Sequence, residues 1–421
     1  MSTLPPFPSN ASSEAAGLSV AGVAAESHDP VVPLSLSMFL IGTGEVIASP
    51  MMLEMAQTFG VSSARVAWLP GIYALTYASL GPLLGPFSDR FGRKALLVPG
   101  LVGLGSSVTA TALSTSFLAA CCTSAISGAC AAAIQPNALA IINDSVDEAR
   151  QPAVTGKVFL GLTSSFVLVP PLGGLLAANV DWRVPYFLMA GACWVAAALV
   201  WRLPVRESVS TASSAFFSTF RRAFALPFMR LRFAVSFLWL GICIGLGALL
   251  AETLRRRFGL STEAVGVWTG LFGCAVLLGN LFMDRARCVL GSHFRVLVYG
   301  ALATVVGATV VAVLPPLPIY LLAPAGLAWG LGYGMAGPAH HFMVATSAGD
   351  VRGTVVALNA SILNSGLMAV TLLAGRVLDQ TGVELLVGML VGLMLLGVVM
   401  MMPLPRTPFS ATEAPPQAAP H

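Results

Sequence analysis

Residues Gly81–Lys94 read G-P-L-L-G-P-F-S-D-R-F-G-R-K and join two long apolar runs through the first dense cluster of charge in the chain. Lipid offers Asp89, Arg90, Arg93 and Lys94 no partners, so the stretch lies at a membrane surface between two spanning helices. It fixes a helix boundary and a side of the membrane together.

The composition extends this to the whole chain. Of 421 residues, 56% are hydrophobic and 10% charged, far from the balance of a soluble globular protein. Each crossing takes about 20 apolar residues. Twelve such runs can be placed, near 32–55, 66–87, 95–114, 116–143, 153–178, 184–201, 233–254, 264–283, 295–314, 318–345, 353–378 and 385–403. The expectation is an all-α, multi-pass membrane protein of twelve transmembrane helices. With both termini inside, the inner segments hold sixteen Lys and Arg and the outer ones six, so the positive-inside rule puts both termini in the cytoplasm. The net charge of +4 reflects that asymmetry and gives no reason to expect nucleic acid as a partner.

Residues 1–30, rich in Ser, Ala, Gly and Pro and free of Lys and Arg, match no targeting peptide and read as a disordered cytoplasmic tail. Residues 404–421 read as a second tail. Six of seven cysteines fall within apolar runs and Cys288 in a loop, so no disulfide framework is implied. Lys94 and Lys157 are the only lysines among many arginines, and Ala is abundant, which suggests a GC-rich bacterial source and hence a bacterial cytoplasmic (inner) membrane.

The polar interval from Arg202 to Arg232 is the longest between apolar runs. It divides the chain into an N-terminal six-helix bundle (31–201), a central cytoplasmic loop (202–232) and a C-terminal six-helix bundle (233–403). An internal repeat supports the division: Phe59-Gly60-Val61-Ser62 ahead of the second run returns as Phe258-Gly259-Leu260-Ser261 ahead of the eighth, and Asp89-Arg90 returns as Asp284-Arg285.

Gly85, Asp89, Arg90, Gly92, Arg93 and Lys94 meet the pattern G-x-x-x-D-R-x-G-R-K between the second and third helices. This resembles the signature loop of the major facilitator superfamily of transporters. Val169-Pro170-Pro171-Leu172-Gly173-Gly174 is similar to the helix-five signature of antiporting drug exporters, with Pro170, Gly173 and Gly174 in place and Val169 where the first glycine stands. Asp181-Trp182-Arg183, Arg352-Gly353 and Leu358-Asn359 resemble the arabinose-efflux-like branch of twelve-helix exporters. The resemblance covers about 32–403. It implies two pseudo-symmetric six-helix bundles, a cavity lined by helices one, four, seven and ten, and a proton gradient rather than a bound cofactor as energy source. It also implies a conformational gate in which Asp89 caps the N-terminus of helix eleven and Asp144 pairs with Arg93. The sequence departs from the family at Ser124, where proton antiporters commonly carry Arg.

Among eighteen acidic residues Glu45 alone falls well inside an apolar run, in Ile41-Gly42-Thr43-Gly44-Glu45-Val46. A charged carboxylate costs about 2.5 to 3.5 kcal/mol at that depth on insertion scales. A carboxyl group that is cheaper neutral, in a cavity meeting both aqueous sides in turn, suits a proton carrier. A buried acid satisfied by a neighbouring helix is the competing reading. Gln135-Pro136-Asn137 in helix four frees a backbone carbonyl and offers two amides for a polar group of a substrate, or marks a packing kink. His340 and His341 follow Gly337-Pro338 in helix ten, and adjacent helical residues point about 100° apart. One of them suits proton relay or ligand contact, His340 for the former and His341 for the latter; a plain interfacial pair is the alternative. Their spacing is poor for a metal, and no metal is expected.

Tyr73, Tyr77, Trp239, Trp268, Trp329 and Tyr333 are candidates for an aromatic cavity lining, though most aromatics in such a chain face lipid or core. Arg255, Arg256 and Arg257 read as interface anchors, and no Arg or Lys lies deep in any run. A cationic or neutral lipophilic cargo therefore suits Glu45 better than an anion. The sequence points to a monomeric, proton-coupled exporter of a drug-like compound, antibiotic or metabolite, working by alternating access. The alternative is a facilitator or proton symporter for uptake of a small polar nutrient. No nucleophile, base and metal-ligand set converges as an enzyme needs, and no P-loop is present for a primary pump.

Overall fold

A computed structural model describes residues 30–147, 150–204, 216–312 and 318–405, apart from the side chains of 85–90, 152, 216–218, 312, 319, 350 and 381. The described residues are helical with no strand. Nine helices among them are long and apolar enough to cross a membrane: Arg93–Leu113, Phe117–Ser145, Ala153–Asn179, Arg183–Arg202, Met229–Ala248, Thr262–Leu290, His293–Val311, Arg352–Gln380 and Gly382–Met401. A broken first span (Val31–Val46 and Met52–Phe59), Trp68–Phe91 and Ile319–Thr346 complete twelve. Successive spans alternate in direction. Residues 30 and 405 therefore lie at one face of the bundle, the terminal face.

The first span departs from the continuous helix expected over 32–55. It ends at Val46 and resumes at Met52, because Pro50 supplies no N–H to the helix and disfavours helical geometry in Ser49. The freed Ser49 hydroxyl donates to the Ala248 carbonyl of the seventh span at 3.1 Å. That span is itself interrupted, with a π-helical turn over Ser236–Gly241 and a second break at Leu249 before Leu250–Phe258.

The sequence repeat has a structural counterpart. Gly60 and Gly259 both end their helices at φ +64°, and the Ser62 and Ser261 hydroxyls cap the next helix by accepting from the backbone N–H three residues on. An L side chain at such a φ costs about 1–2 kcal/mol. Gly259→Ala is therefore expected to lower the thermal midpoint of the purified protein. Gly156→Ala, in a helix with open space around it, is expected to raise it by removing backbone freedom from the unfolded chain.

The halves meet along the fifth and eighth spans and along the second and eleventh. A Cβ on Gly174 would stand 2.8 Å from the Thr262 carbonyl and 3.2 Å from Gly266, so the last glycine of the helix-five pattern lets these two spans touch backbone to backbone. Hydrogen bonds joining the halves cluster at the face opposite the termini. Ser63 donates to Glu252 at 2.6 Å, Arg255 to the Pro50 carbonyl at 3.0 Å, Asn179 to Glu263 at 2.7 Å and Thr262 to Glu54. Arg255 and Arg256, expected as anchors in the lipid interface, instead flank the buried Glu252, while Arg257 donates to the Val311 carbonyl. Neutralisation of a buried acid on their own helix outweighs snorkelling for Arg255 and Arg256.

Candidate functional site

Glu45 lies one residue before the end of the first half-helix, half-buried, with no hydrogen-bond partner among the described residues. Three tyrosines are within electrostatic reach of its carboxylate: Tyr73 and Tyr77 from the second span and Tyr333 from the tenth. Tyr73 is fixed by donation to the Ile41 carbonyl, one turn before Glu45, at 3.2 Å. Tyr77 stacks beside it with ring centroids 6.4 Å apart and donates to Gln135 Oε1 at 2.5 Å. A lone carboxylate at this depth can serve as the counter-charge of an organic cation.

Four expected lining residues, Tyr73, Tyr77, Asn137 and Trp239, are buried between helices. Asn137 is fully buried and returns its amide to the Ala133 carbonyl at 2.6 Å, so the helix-four motif presents Gln135 alone. Trp239 is also fully buried and packs against Tyr333 at 6.4 Å. Ser124 donates to the Leu69 carbonyl at 2.7 Å and borders a cavity of about 20 Å³ with Gly44, Tyr73, Thr111 and Ser127. Room for about one water thus stands where an Arg side chain was looked for.

At the terminal face Gly92 makes the turn between the second and third spans at φ +95°. Arg93 Nε donates to Asp144 at 3.2 Å, and Lys94 donates to the Trp201 and Leu203 carbonyls at 2.6 and 2.9 Å, closing the sixth helix end. Gly85, Asp89 and Arg90 belong to the residues whose side chains lie outside the description.

In the C-terminal half His340 and His341 are joined by a hydrogen-bonded chain. His340 Nε2 lies 2.7 Å from Ser236 Oγ, Ser236 donates to Asn359 Oδ1 at 2.5 Å, and Asn359 Nδ2 lies 3.0 Å from His341 Nδ1. His340 is fully buried, whereas His341 is exposed.

Residues 34–367 match the sequence profile of the Major Facilitator Superfamily. The chain belongs to that superfamily. It is 29% identical to the uncharacterized MFS-type transporter YceJ of Bacillus subtilis (strain 168), over 82% of this chain and 88% of that one. It is 23% identical to the quinolone resistance protein NorA of Staphylococcus aureus (strain MRSA252), over 88% and 95% respectively. The crystal structure of a D-xylose-proton symporter superposes with a TM-score of 0.75 at 15% identity, covering 89% of this chain and 97% of that one, a likeness of fold. The protein is therefore a multi-pass membrane transporter and no enzyme, its twelve helices forming the two six-helix bundles of the superfamily fold.

Within that fold the sequence reading missed four polar side chains. Ser236 was not singled out, and Asn359 entered only as part of the Leu358-Asn359 motif. Glu252, near the end of the apolar run 233–254, was not singled out, yet it is 1% exposed. Arg232 was assigned to the central cytoplasmic loop, but it is 2% exposed in the first turn of the seventh span, and its Nε and Nη1 have no hydrogen-bond partner among the described residues. The loop before it folds as the helix Phe216–Ala225, whose Ala223 joins Met229, Phe233 and Val355 in a cluster that carries Arg232 inward. Replacing a buried unpaired charge by an apolar side chain of similar length is expected to stabilise. Arg232→Met should raise the thermal midpoint, by the equivalent of about 1–4 kcal/mol.

Proposed function

We propose that this transporter exports a small lipophilic cationic or neutral compound from the cytoplasm in exchange for protons. Glu45 is both the proton carrier and the counter-charge of the cargo. The observation that carries this reading is the Glu45 carboxylate, half-buried in the first span and without a hydrogen-bond partner among the described residues. Resistance-type relatives such as NorA support the direction and the cargo class. The Lys and Arg distribution supports a cytoplasmic terminal face in a bacterial inner membrane, with both termini inside. Hydrogen bonds seal the opposite face, so cargo enters this state from the cytoplasm. Protonation of Glu45 from outside then expels the cargo and favours return.

A proton symporter or facilitator for a polar nutrient is the second reading, favoured by Val169 and Ser124 at positions where antiporters carry Gly and Arg. Inside-out vesicles with an acid interior separate the two. Under the export reading, members of a panel of lipophilic cations and neutral compounds collapse the pH gradient. Accumulation of polar solutes with no such collapse sinks it.

A further inference from the structure

The distances in the histidine chain are selective about where its protons sit. The structure places the Asn359 oxygen against the Ser236 hydroxyl and its amide nitrogen against His341. Ser236 has one hydroxyl proton. It is donated to Asn359 Oδ1, with the Arg232 carbonyl 3.0 Å away as a second acceptor. Ser236 then accepts from His340 Nε2–H. The same orientation turns the Asn359 amide N–H groups toward His341 Nδ1, 3.0 Å away, which must be a bare lone pair to accept. A neutral His341 consequently carries its proton on Nε2.

That Nε2 has no protein partner among the described residues. The His341 side chain is exposed, on the tenth span that the resemblance puts along the central cavity. We propose that His341 is a specificity-determining residue, fixed as a neutral hydrogen-bond donor that selects cargo bearing an acceptor oxygen, with Ser236 and Asn359 as its positioning residues. This rests on the cavity reading of the proposed function and narrows its cargo class: a lipophilic cation whose far end carries a carbonyl or similar oxygen. The amide of Asn359 cannot pass a proton along the chain without losing its own, so the chain orients His341 and does not feed it protons from His340.

The test uses full-length protein in nanodiscs and two probes, pentyltriphenylphosphonium and 4-oxopentyltriphenylphosphonium. They differ by one ketone. A net hydrogen bond predicts about fivefold tighter binding of the ketone by wild type and equal binding of both by His341→Ala. In parallel, the nitrogen NMR spectrum of histidine-labelled protein, with His341 assigned by its loss in His341→Gln, is expected to show Nδ1 unprotonated at pH 7. Asn359→Asp should protonate it by offering only acceptors. Nδ1–H on wild-type His341 overturns the proposal, and so does an undiminished ketone preference in His341→Ala. If wild type binds neither probe, the cationic-cargo reading fails, and with it the selection role given to His341, whatever tautomer the spectrum reports.

Discussion

Vesicles carrying Glu45→Gln are expected to keep their pH gradient against every compound that collapses it in wild-type vesicles. The substitution retains the shape of the side chain and removes only its ability to release a proton, and no hydrogen bond among the described residues depends on the carboxylate. Folding should be unharmed, because a neutral amide is cheaper than a carboxylate at that depth. The affinity for a lipophilic cation should fall at least thirtyfold, matching the 2 kcal/mol or more associated with truncating one side of a desolvated charge pair. Neutral cargo should lose coupling while retaining its affinity. Binding by calorimetry and pH-gradient collapse in the same preparation check both halves of the expectation. Coupled transport by the Gln variant at wild-type rate would remove Glu45 from the mechanism.

How far the sequence revealed this arrangement differs between fold and site. Hydropathy placed the spans to within a few residues because lipid forces every crossing to be a long apolar helix. Phe59–Ser62 and Phe258–Ser261 marked the repeat because a left-handed glycine followed by a serine cap leaves the same signature in each copy. Breaks within helices were less visible. Pro50 gave a signal for the first span, whereas nothing in Ser236-Phe237-Leu238-Trp239-Leu240-Gly241 announces a π turn. Glu45 stood out because charge in an apolar run is rare.

The partners of Glu45 depended on tertiary packing. Tyr73 and Tyr77 share a face at i, i+4, but bringing Tyr333 to the same carboxylate required the two halves to close. Asn137 and Gln135 differ by two positions, which on a helix sends one inward against Ala133 and the other to Tyr77. Periodicity alone could not say which. Arg232 was misplaced for a related reason: a polar interval between apolar runs reads as surface unless an amphipathic helix folds over it.

Glu252→Gln is expected to shift the protein toward the state open at the face opposite the termini. One carboxylate oxygen accepts from Ser63 of the N-terminal half and from Arg256 Nε, both at 2.6 Å, while the other lies 3.6 Å from Arg255 Nη1. Arg255 in turn donates to the Pro50 carbonyl across the divide, and Arg256 to Asp379 at 2.5 Å. The carboxylate thus faces both guanidinium groups and is the acid beside Arg255, the one that reaches the other half, whereas Arg256 is shared with Asp379. With side-chain exposure of only 2%, it cannot be replaced by water. Leaving buried charges uncompensated costs about 3–5 kcal/mol, so even the lower figure would move the equilibrium between the two states by about a hundredfold. Spin labels at Val180 and Tyr320, exposed positions at this face in the two halves, would report the change as a new long-distance population in a background with the native cysteines replaced. Glu263→Gln disturbs an exposed hydrogen bond between the same halves, from Asn179 at 2.7 Å. It should leave the distribution where it was, since rim polar contacts are worth about 1 kcal/mol or less. Equal behaviour of the two variants would mean that helix packing at Gly174 and Gly266, and not the Glu252 cluster, keeps this face shut.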